Sequence, residues 1–218
     1  MKKIIILLVL ILSSCGIEYD GETKLVVKGI VVDENNNPLP NKEVTLFVTN
    51  DGQSFVYNET NYIGRAITNN QGNYTLVFPE PKNFTEMYVN LNSLDISHNK
   101  KQYRNIQMSN FHKYQFNLPT TVLYNKANLA TLQIILNQIN QNIDLRKIEI
   151  IGNVANEIEY FNTNESLNFY YELEHLVKKN QIITIKYSLY NYTTNSLSTI
   201  EENIVIDNSN QINYTLNY

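Results

Sequence analysis

Residues 24–49, KLVVKGIVVDENNNPLPNKEVTLFVT, predict two β-strands with a turn between them. In the first strand, apolar side chains alternate so that Leu25 and Val27 share one face. Residues 33–38 combine Asp, Asn and Pro, which favour a turn because they bond to nearby backbone or fix its φ angle. Alternation resumes in residues 43–49. The stretch therefore predicts a strand, a turn and a second strand.

Residues 25–78 carry turn and strand residues at fixed offsets, namely Gly29, Asp33, Pro38-Leu39-Pro40, Val44, Leu46, Thr68 and Gly72-Asn73-Tyr74. With these residues the stretch resembles the carboxypeptidase-regulatory-like, transthyretin-like family. Asn stands at three turn positions where that family prefers Gly or Asp, namely Asn37, Asn41 and Asn69, and Asn tolerates such turns. The resemblance implies a seven-stranded β-sandwich that serves as a spacer or binding module without catalytic residues of its own.

Further short segments predict the remaining strands of this first sandwich. Residues 79–81, Pro-Glu-Pro, are expected to interrupt the sheet, because Pro has no N–H to donate. Residues 100–108 and 111–118 are expected to pair with each other and close the sandwich. The other predicted strands are residues 55–57, 64–68, 73–78 and 87–91.

Pro119 is the predicted domain boundary, with residues 24–118 before it and residues 119–218 after it. Residues 128–143 fit both helical and strand spacing, and a strand is favoured because the segments that follow all alternate. Their rhythm predicts a second, immunoglobulin-like or fibronectin-like sandwich. The fold prediction is therefore all-β, with two tandem β-sandwich domains. The alternating segments are residues 145–151, 166–174, 182–190, 199–206 and 212–217.

Composition agrees with an all-β protein and narrows its partners. The chain has 16 Tyr, 8 Phe and no Trp, and aromatic residues are enriched in strands. Its net charge is −4, or −6 once residues 1–14 are removed with their two Lys. The longest basic runs are the pairs Lys100–Lys101 and Lys178–Lys179. Nucleic acid is not an expected partner, since phosphate binding needs a surplus of Lys and Arg.

Residues 1–15, MKKIIILLVLILSSC, predict the location of the protein. A charged start, an apolar run of nine residues at 4–12 and two Ser make up a secretory signal peptide. The run is shorter than the roughly 20 residues of a transmembrane helix. Leu12-Ser13-Ser14-Cys15 resembles the lipobox of bacterial lipoproteins. The resemblance implies cleavage after residue 14 and a diacylglyceryl group on Cys15, so that the membrane becomes a partner through the lipid.

Residues 15–23 are predicted to be a lipidated tether between the anchor and the first sandwich. Glu18, Asp20 and Glu22 make the tether acidic. Such charge is typical of a solvated linker. It is also similar to the acidic stretch that exports some Gram-negative lipoproteins to the outer cell face. Gly16 is not the Asp associated with inner-membrane retention, so we expect a protein of the cell outer membrane, on its periplasmic or external side.

Metal and thiol chemistry have little support in the sequence. Cys15 is the only cysteine, so lipidation leaves no thiol for a disulfide, a metal or catalysis. Asp33, Asn35 and Asn37 have the spacing with which a calcium loop begins, but the Gly and the bidentate Glu of that loop are missing. The three His lack zinc-site spacing and are expected to be solvated or hydrogen-bonded. They are His98, His112 and His175.

Binding is better supported than catalysis. The chain has no GxSxG elbow, and Glu172 and Glu174 share a strand face where water is expected, so we expect neither an enzyme nor a cofactor. Alternation turns Tyr170 and Tyr190 outward, and they are the candidate ligand-binding residues. The leading hypothesis is a structural or spacer module of an envelope protein complex. The alternative is a surface protein that binds polysaccharide or a protein partner.

Overall fold

The computed structural model describes residues 17–50, 59–155, 158–160 and 172–218. These residues form β-strands connected by turns and two short 3-10 segments, without an α-helix among them, which confirms the all-β prediction. The strands are β1 (Glu18–Asp33), β2 (Glu43–Asn50), β3 (Glu59–Ile67), β4 (Asn73–Lys82), β5 (Glu86–Leu91), β6 (Lys101–Arg104), β7 (Gln115–Asn117), β8 (Thr121–Leu123), β9 (Leu129–Asn137), β10 (Ile143–Ile151), β11 (Ile158–Tyr160), β12 (Glu172–Lys178), β13 (Gln181–Asn191), β14 (Ser196–Ile206) and β15 (Gln211–Asn217).

Two sheets form the first sandwich. One has the order β4-β1-β7, with β8 also beside β1, and the other has the order β11-β6-β5-β2-β3. Their inward side chains build one core because alternate residues of each strand are apolar, as Leu25, Val27 and Val31 are in β1. The two sheets hold nine described strands rather than the seven that the family resemblance implies.

The residues that carry the family resemblance hold one end of this sandwich together. Gly29 lies opposite Tyr74, and a Cβ at Gly29 would come within 2.4 Å of the Tyr74 hydroxyl oxygen. The Thr68 hydroxyl donates to the Leu39 carbonyl at 2.6 Å and accepts the Lys42 N–H at 2.8 Å. These residue types are therefore explained by packing and loop closure.

Two further sheets form the second sandwich. Their orders are β12-β9-β15 and β10-β13-β14. Residues 129–137, which the sequence left ambiguous, are strand β9 as favoured. The core lies between the sheets, and its fully buried members include Leu132, Ile134, Ile183 and Ile185.

The changeover between the sandwiches lies between β8 and β9, although β11, later in the chain, returns to pair with β6 of the first sandwich. Strand β8 is C-terminal to the predicted boundary at Pro119, yet it pairs with β1 and places Leu123 in the first core. Asn99 is 1% exposed at the junction, where its amide accepts the Tyr124 N–H at 2.7 Å and donates to the Ala155 carbonyl at 3.2 Å. The division into two domains stays a prediction.

The expected break at residues 79–81 is wrong. Strand β4 continues through both prolines to Lys82, with Pro79 opposite Lys24 and Pro81 opposite Tyr19. Strand β4 is at the edge of its sheet, so a missing N–H on its outer side removes no ladder hydrogen bond.

The expected pairing of residues 100–108 with 111–118 is also wrong. Strand β6 lies beside β5 in one sheet, whereas β7 lies parallel to β1 in the opposite sheet. The segment between them crosses from one sheet to the other. It contains a 3-10 turn at Met108–Asn110 and a tight turn at 112–115.

The predicted tether is shorter than its sequence suggests. Strand β1 begins at Glu18, which lies opposite Lys82, and Ile17 is 7% exposed within the first core. Asp20 holds a bulge in β1 by accepting the backbone N–H groups of Glu22 at 2.9 Å and Thr23 at 3.3 Å. The hydrogen bonds that these N–H groups donate lower the pKa of the Asp20 carboxyl. All three acidic residues thus lie within β1, and Asp20 has a structural partner.

None of the helical turns in the described part of the chain is long and apolar enough to span a bilayer.

Candidate functional site

One of the three residues singled out from sequence is within the described structure. Cys15 and Tyr170 lie outside the described residues. Tyr190 lies on β13, whose inward residues are buried as alternation predicted. Tyr190 itself is half-buried on the outer face of the sheet. Its ligand-binding role stays a prediction. The inward residues are Ile183, Ile185, Tyr187 and Leu189.

Tyr190 belongs to a surface group that we call the aromatic–arginine cluster, made of Asp144, Arg146, Tyr190 and Tyr192. The two rings meet edge to face, with centroids 5.0 Å apart and planes at 83°. The Arg146 guanidinium lies 5.2 Å from the centre of the Tyr190 ring and 5.8 Å from that of Tyr192. Both distances are in the range of a cation–π interaction.

Hydrogen bonds fix the polar groups of the aromatic–arginine cluster. Arg146 Nη2 donates to the Tyr192 hydroxyl at 2.8 Å and lies 3.2 Å from Asp144 Oδ2. The Tyr190 hydroxyl donates to Asn195 in the β13–β14 turn. A planar cation is therefore held against two rings and one carboxylate.

Local irregularities bring these four residues together. The register of β10 against β13 shifts between Leu145 and Lys147, so Arg146 is the extra residue of a β-bulge. Asp144 lies directly opposite Tyr190. Tyr192 follows the end of β13, where Asn191 Oδ1 accepts the Thr193 N–H at 2.9 Å and begins the turn. Sequence alternation located Tyr190 but missed the other three, because a bulge and a turn do not follow a period of two.

The aromatic–arginine cluster presents aromatic surface to solvent mainly through Tyr192. Arg146 lies near both rings, but Tyr192 is 57% exposed, whereas Tyr190 is half-buried. An exposed ring beside a hydrogen-bond donor and acceptor suits the face of a sugar or a planar side chain. Because Asp144 balances Arg146, the site has no net charge to attract an ionic ligand.

A second polar cluster has the residue types of a catalytic triad but not the geometry. Ser97 Oγ lies 2.8 Å and Asp95 Oδ2 3.3 Å from the same His98 nitrogen, Nδ1. An imidazole relays a proton only when its two nitrogens contact different groups. Lys42 contacts Asp95 as well, and its Nζ is 3.4 Å from His98 Nδ1. These contacts hold the loop of residues 95–98 in place and do not form the relay that would remove the proton of the Ser97 hydroxyl.

Asp95 is held ionised in this second cluster. Burial opposes its ionisation, but hydrogen bonds from Lys42 and Ser97 hold the pKa of its carboxyl well below its usual range. The Asp95 Oδ1 atom accepts both the backbone N–H of Ser97 at 2.8 Å and its hydroxyl at 2.7 Å. The carboxylate is therefore committed to its own loop.

The calcium-like spacing at residues 33–37 is explained by a hydrogen-bonded turn. Asp33 Oδ1 accepts the N–H groups of Asn35 and Asn37, each at 2.8 Å, and Oδ2 accepts the Asn37 side-chain amide at 3.0 Å. Within the described ranges, His, Cys, Asp and Glu form no group of three or more placed to hold a metal ion.

A row of three rings also lies along one sheet of the first sandwich, on the neighbouring strands β5, β2 and β3. Phe47 lies 5.3 Å from Tyr88 with planes at 12°, and 5.5 Å from Tyr62 with planes at 67°. Nearly parallel planes at this separation make Phe47 and Tyr88 an offset stack, in which each ring covers one face of the other. Because the three strands are adjacent, the row acts as cross-strand packing.

No family model matches the chain, and no curated protein matches it. Among solved structures, it is similar to the shaft pilin SpaA from Lactobacillus rhamnosus GG, at 8% identity over 89% of this chain and 97% of that one, with a TM-score of 0.31. The minor pilin GBS52 of Streptococcus agalactiae matches at 10% identity over 88% of this chain and 94% of that one, with a TM-score of 0.28.

A 9R-lipoxygenase from Cyanothece matches at 15% identity over 56% of this chain, with a TM-score of 0.32. The chain spans about a fifth of that enzyme, 20% of its length. Similarities this weak say nothing about function.

Proposed function

We propose that this protein is a non-catalytic, lipid-anchored spacer of the bacterial cell envelope, attached through Cys15 to the outer membrane. The observation that carries the proposal is the length and pairing of β1. This strand runs for 16 residues, from the anchor end of the chain to Asp33, which lies opposite Leu123 just before the second sandwich begins. A strand paired along its length in this way holds its two ends at a fixed distance, because no flexible segment interrupts it.

The lipid anchor is supported by the order of residues 1–15. A basic start, an apolar run and Leu12-Ser13-Ser14-Cys15 look like the signal and lipobox of bacterial lipoproteins. Each buried methylene of an acyl chain contributes roughly 0.8 kcal/mol, so two or three chains hold a protein on a membrane. Gly16 after the cysteine supports the outer membrane rather than the inner one.

A non-catalytic role is supported by how the titratable clusters are used. Asp33 and Asp95 accept the N–H groups of their own loops, and the Asp144 carboxylate balances Arg146. His98 offers one nitrogen to every partner in its cluster. The acids and the imidazole therefore act as partners in structural hydrogen bonds and ion pairs.

An assembly role is supported by the edge strand β14. Its residues 196–203 are exposed on both faces, and Leu197 is 63% exposed. In the described sheets β14 pairs with β13 alone, so its outer edge offers backbone groups to a further strand. An extended segment of another envelope protein would suit this edge.

Cell fractionation tests the spacer proposal. Wild-type protein is expected in the outer-membrane fraction, and Cys15→Ser in soluble or unprocessed form. Whole-cell crosslinking, with a photoreactive residue replacing Leu197, is expected to trap a discrete envelope protein. A photoreactive residue at Ile182, which is 65% exposed on the central strand β13, is the control. Hydrolase activity of the purified protein, lost on one Glu or His substitution, would overturn the non-catalytic role.

Glycan or protein binding at the aromatic–arginine cluster is the second candidate function. The exposed Tyr192 ring beside Arg146 favours it. We expect Tyr192→Ala to abolish retention on an array of bacterial polysaccharides. The matched control is Tyr114→Asn, which removes a 64% exposed ring at a φ of 65° that Asn tolerates. Equal retention of both variants would exclude glycan binding at the cluster.

A further inference from the structure

We propose that the first sandwich stands directly on the membrane surface, resting on the end formed by residues 17–19 and the β4–β5 turn, and displays the aromatic–arginine cluster at the opposite extreme. The inference rests on the proposed lipid anchor at Cys15. It adds an orientation, a membrane-contacting surface and a reason for the position of the cluster.

The length of chain between anchor and fold sets the first limit. Only Gly16 separates Cys15 from Ile17, which is 7% exposed in the first core. Two Cα–Cα steps span at most about 8 Å. That is close to the depth of one headgroup layer, given that headgroups add roughly 10 to 15 Å to a bilayer in total. The folded body therefore begins where the lipid headgroups end.

The start of β1 is too well held to act as a hinge. Glu18 and Asp20 lie opposite Lys82 and Glu80 in the β1–β4 ladder. The Lys82 ammonium also lies 3.5 Å from the Asp20 carboxylate. Because pairing begins next to the anchor, the start of β1 cannot bend away from the sandwich, and the sandwich meets the bilayer with this end.

The chemistry of this end suits contact with zwitterionic headgroups. Tyr19 is 37% exposed, and a Tyr ring favours the interface because it is apolar with a polar tip. Glu18, Glu22 and Glu80 give the end an excess of negative charge over Lys82. Anionic lipids would be repelled, so the acyl chains and not the surface charge hold the protein down.

The other end of β1 carries the second sandwich away from the bilayer. Three of the 16 residues of β1, 21–23, form the bulge and have no partner in β4, so at roughly 3.3 Å per residue the strand extends about 40 Å. Asp33 at its end lies opposite Leu123 of β8, and Glu34 accepts the Asn125 N–H at 3.2 Å and the Asn128 amide at 2.6 Å. The second sandwich starts at this distal end.

The aromatic–arginine cluster lies at the far end of the second sandwich. Strand β9 leaves the junction at Leu129, which packs with Tyr124 and Ala155, and β10 returns to the junction near Ile151. Asp144 is at the start of β10, and Tyr190 opposes it. The cluster therefore occupies the end of the second sandwich that is remote from the junction, where a ligand is most accessible.

Site-specific fluorescence quenching tests this orientation. Cys15 is the only native cysteine, so in the lipidated chain an introduced cysteine is the sole free thiol. We would label Lys82→Cys, Asn70→Cys and Thr193→Cys in full-length lipidated protein. Phosphatidylcholine vesicles would carry a quencher on the headgroup.

Quenching is expected to remove most of the fluorescence at position 82 and none at positions 70 or 193. A matched variant carries a Gly/Ser linker of about 20 residues after Gly16, which is flexible enough to release the sandwich. It should float with the vesicles and lose the quenching at position 82.

Each other result is decisive. Equal quenching at all three positions would mean that the protein lies flat, and no quenching at position 82 in floating vesicles would mean that this end does not rest on the membrane. Either result overturns the orientation alone. Failure to float with vesicles would overturn the lipid anchor and the orientation together.

Discussion

The Asp33 carboxylate and the Asn69 amide shape their turns in the same way. Each Oδ1 atom accepts the backbone N–H groups of the residues two and four positions further along, at 2.8 Å from Asp33 and at 3.0 Å from Asn69. In each turn the residue three positions on has a positive φ, 64° at Asn36 and 74° at Gly72. Asp33 is therefore a turn former, as an uncharged amide is at the equivalent position.

Substitution of Asp33 distinguishes its oxygen from its charge. We expect Asp33→Ala to lower the free energy of unfolding by about 1 kcal/mol, because the turn loses its side-chain acceptor. Asp33→Asn keeps the acceptor and should be within about 0.5 kcal/mol of wild type. Urea denaturation of the three proteins measures this, and a large loss in Asp33→Asn would show that the charge matters.

The same turn predicts a pH dependence. Burial opposes ionisation of Asp33, but bonds from the Asn37 side chain and from the N–H groups of Asn37 and Asn35 outweigh it and lower the pKa of the carboxyl. A lowered folded-state pKa stabilises the fold above the unfolded value of about 3.9 and is lost as the pH falls through the folded value. Asp33→Asn should therefore flatten the stability profile below about pH 4 relative to wild type.

Gly72 predicts a severe and specific substitution effect. Its φ is 74°, and a Cβ there would lie 2.3 Å from the Val31 carbonyl oxygen, a backbone atom that has little freedom to move. Gly72→Ala is expected to cost about 2 kcal/mol or more. Gly21→Ala is the matched control, because nothing lies within 4 Å of its added Cβ. Equal melting temperatures for the two variants would contradict this account of the turn.

Asn99 predicts how the two sandwiches are joined. Asn99→Ala leaves the buried Tyr124 N–H and the Ala155 carbonyl without their amide partner and should cost about 1 to 3 kcal/mol. The exposed residue Asn213, replaced by Ala, should change stability by less than about 0.5 kcal/mol. Hydrogen exchange of the Tyr124 N–H measures the effect locally, and unchanged protection in Asn99→Ala would contradict it.

His175 predicts a second pH effect, at higher pH. Burial lowers the pKa of this imidazole, which lies on β12 opposite Leu132. As the pH falls, the imidazole is protonated in the unfolded chain before it is protonated in the folded one. The free energy of unfolding therefore falls as the pH drops below about 6.5, by at most about 1.4 kcal/mol per pH unit. His175→Gln should remove this slope between about pH 7 and 5. An unchanged slope in the variant would assign it to another group.

Alternation carried most of the fold prediction. The inward residues of β13 and the strand character of β9 follow from a period of two, because one face of each strand is buried. Pro79 and Pro81 misled the prediction, since sequence does not say that β4 is an edge strand. The pairing of β6 and β7 was misassigned because sheet membership depends on long-range contacts.

The candidate site was only partly predictable for a related reason. Tyr190 follows the strand period, but Arg146 reaches it through a bulge and Tyr192 through a turn. Sequence also treated Glu18 and Asp20 as a linker because they are charged. Their pairing with β4 depends on residues some sixty positions away, 80–82.

Metabolic labelling with palmitate tests the central claim most directly, because the spacer role and the orientation both need a lipid at Cys15. Cells expressing the full chain with its signal would be labelled, and the protein would be immunoprecipitated. Label is predicted in wild type and not in Cys15→Ser. Absence of label from the wild type, or label retained in Cys15→Ser, would contradict the account.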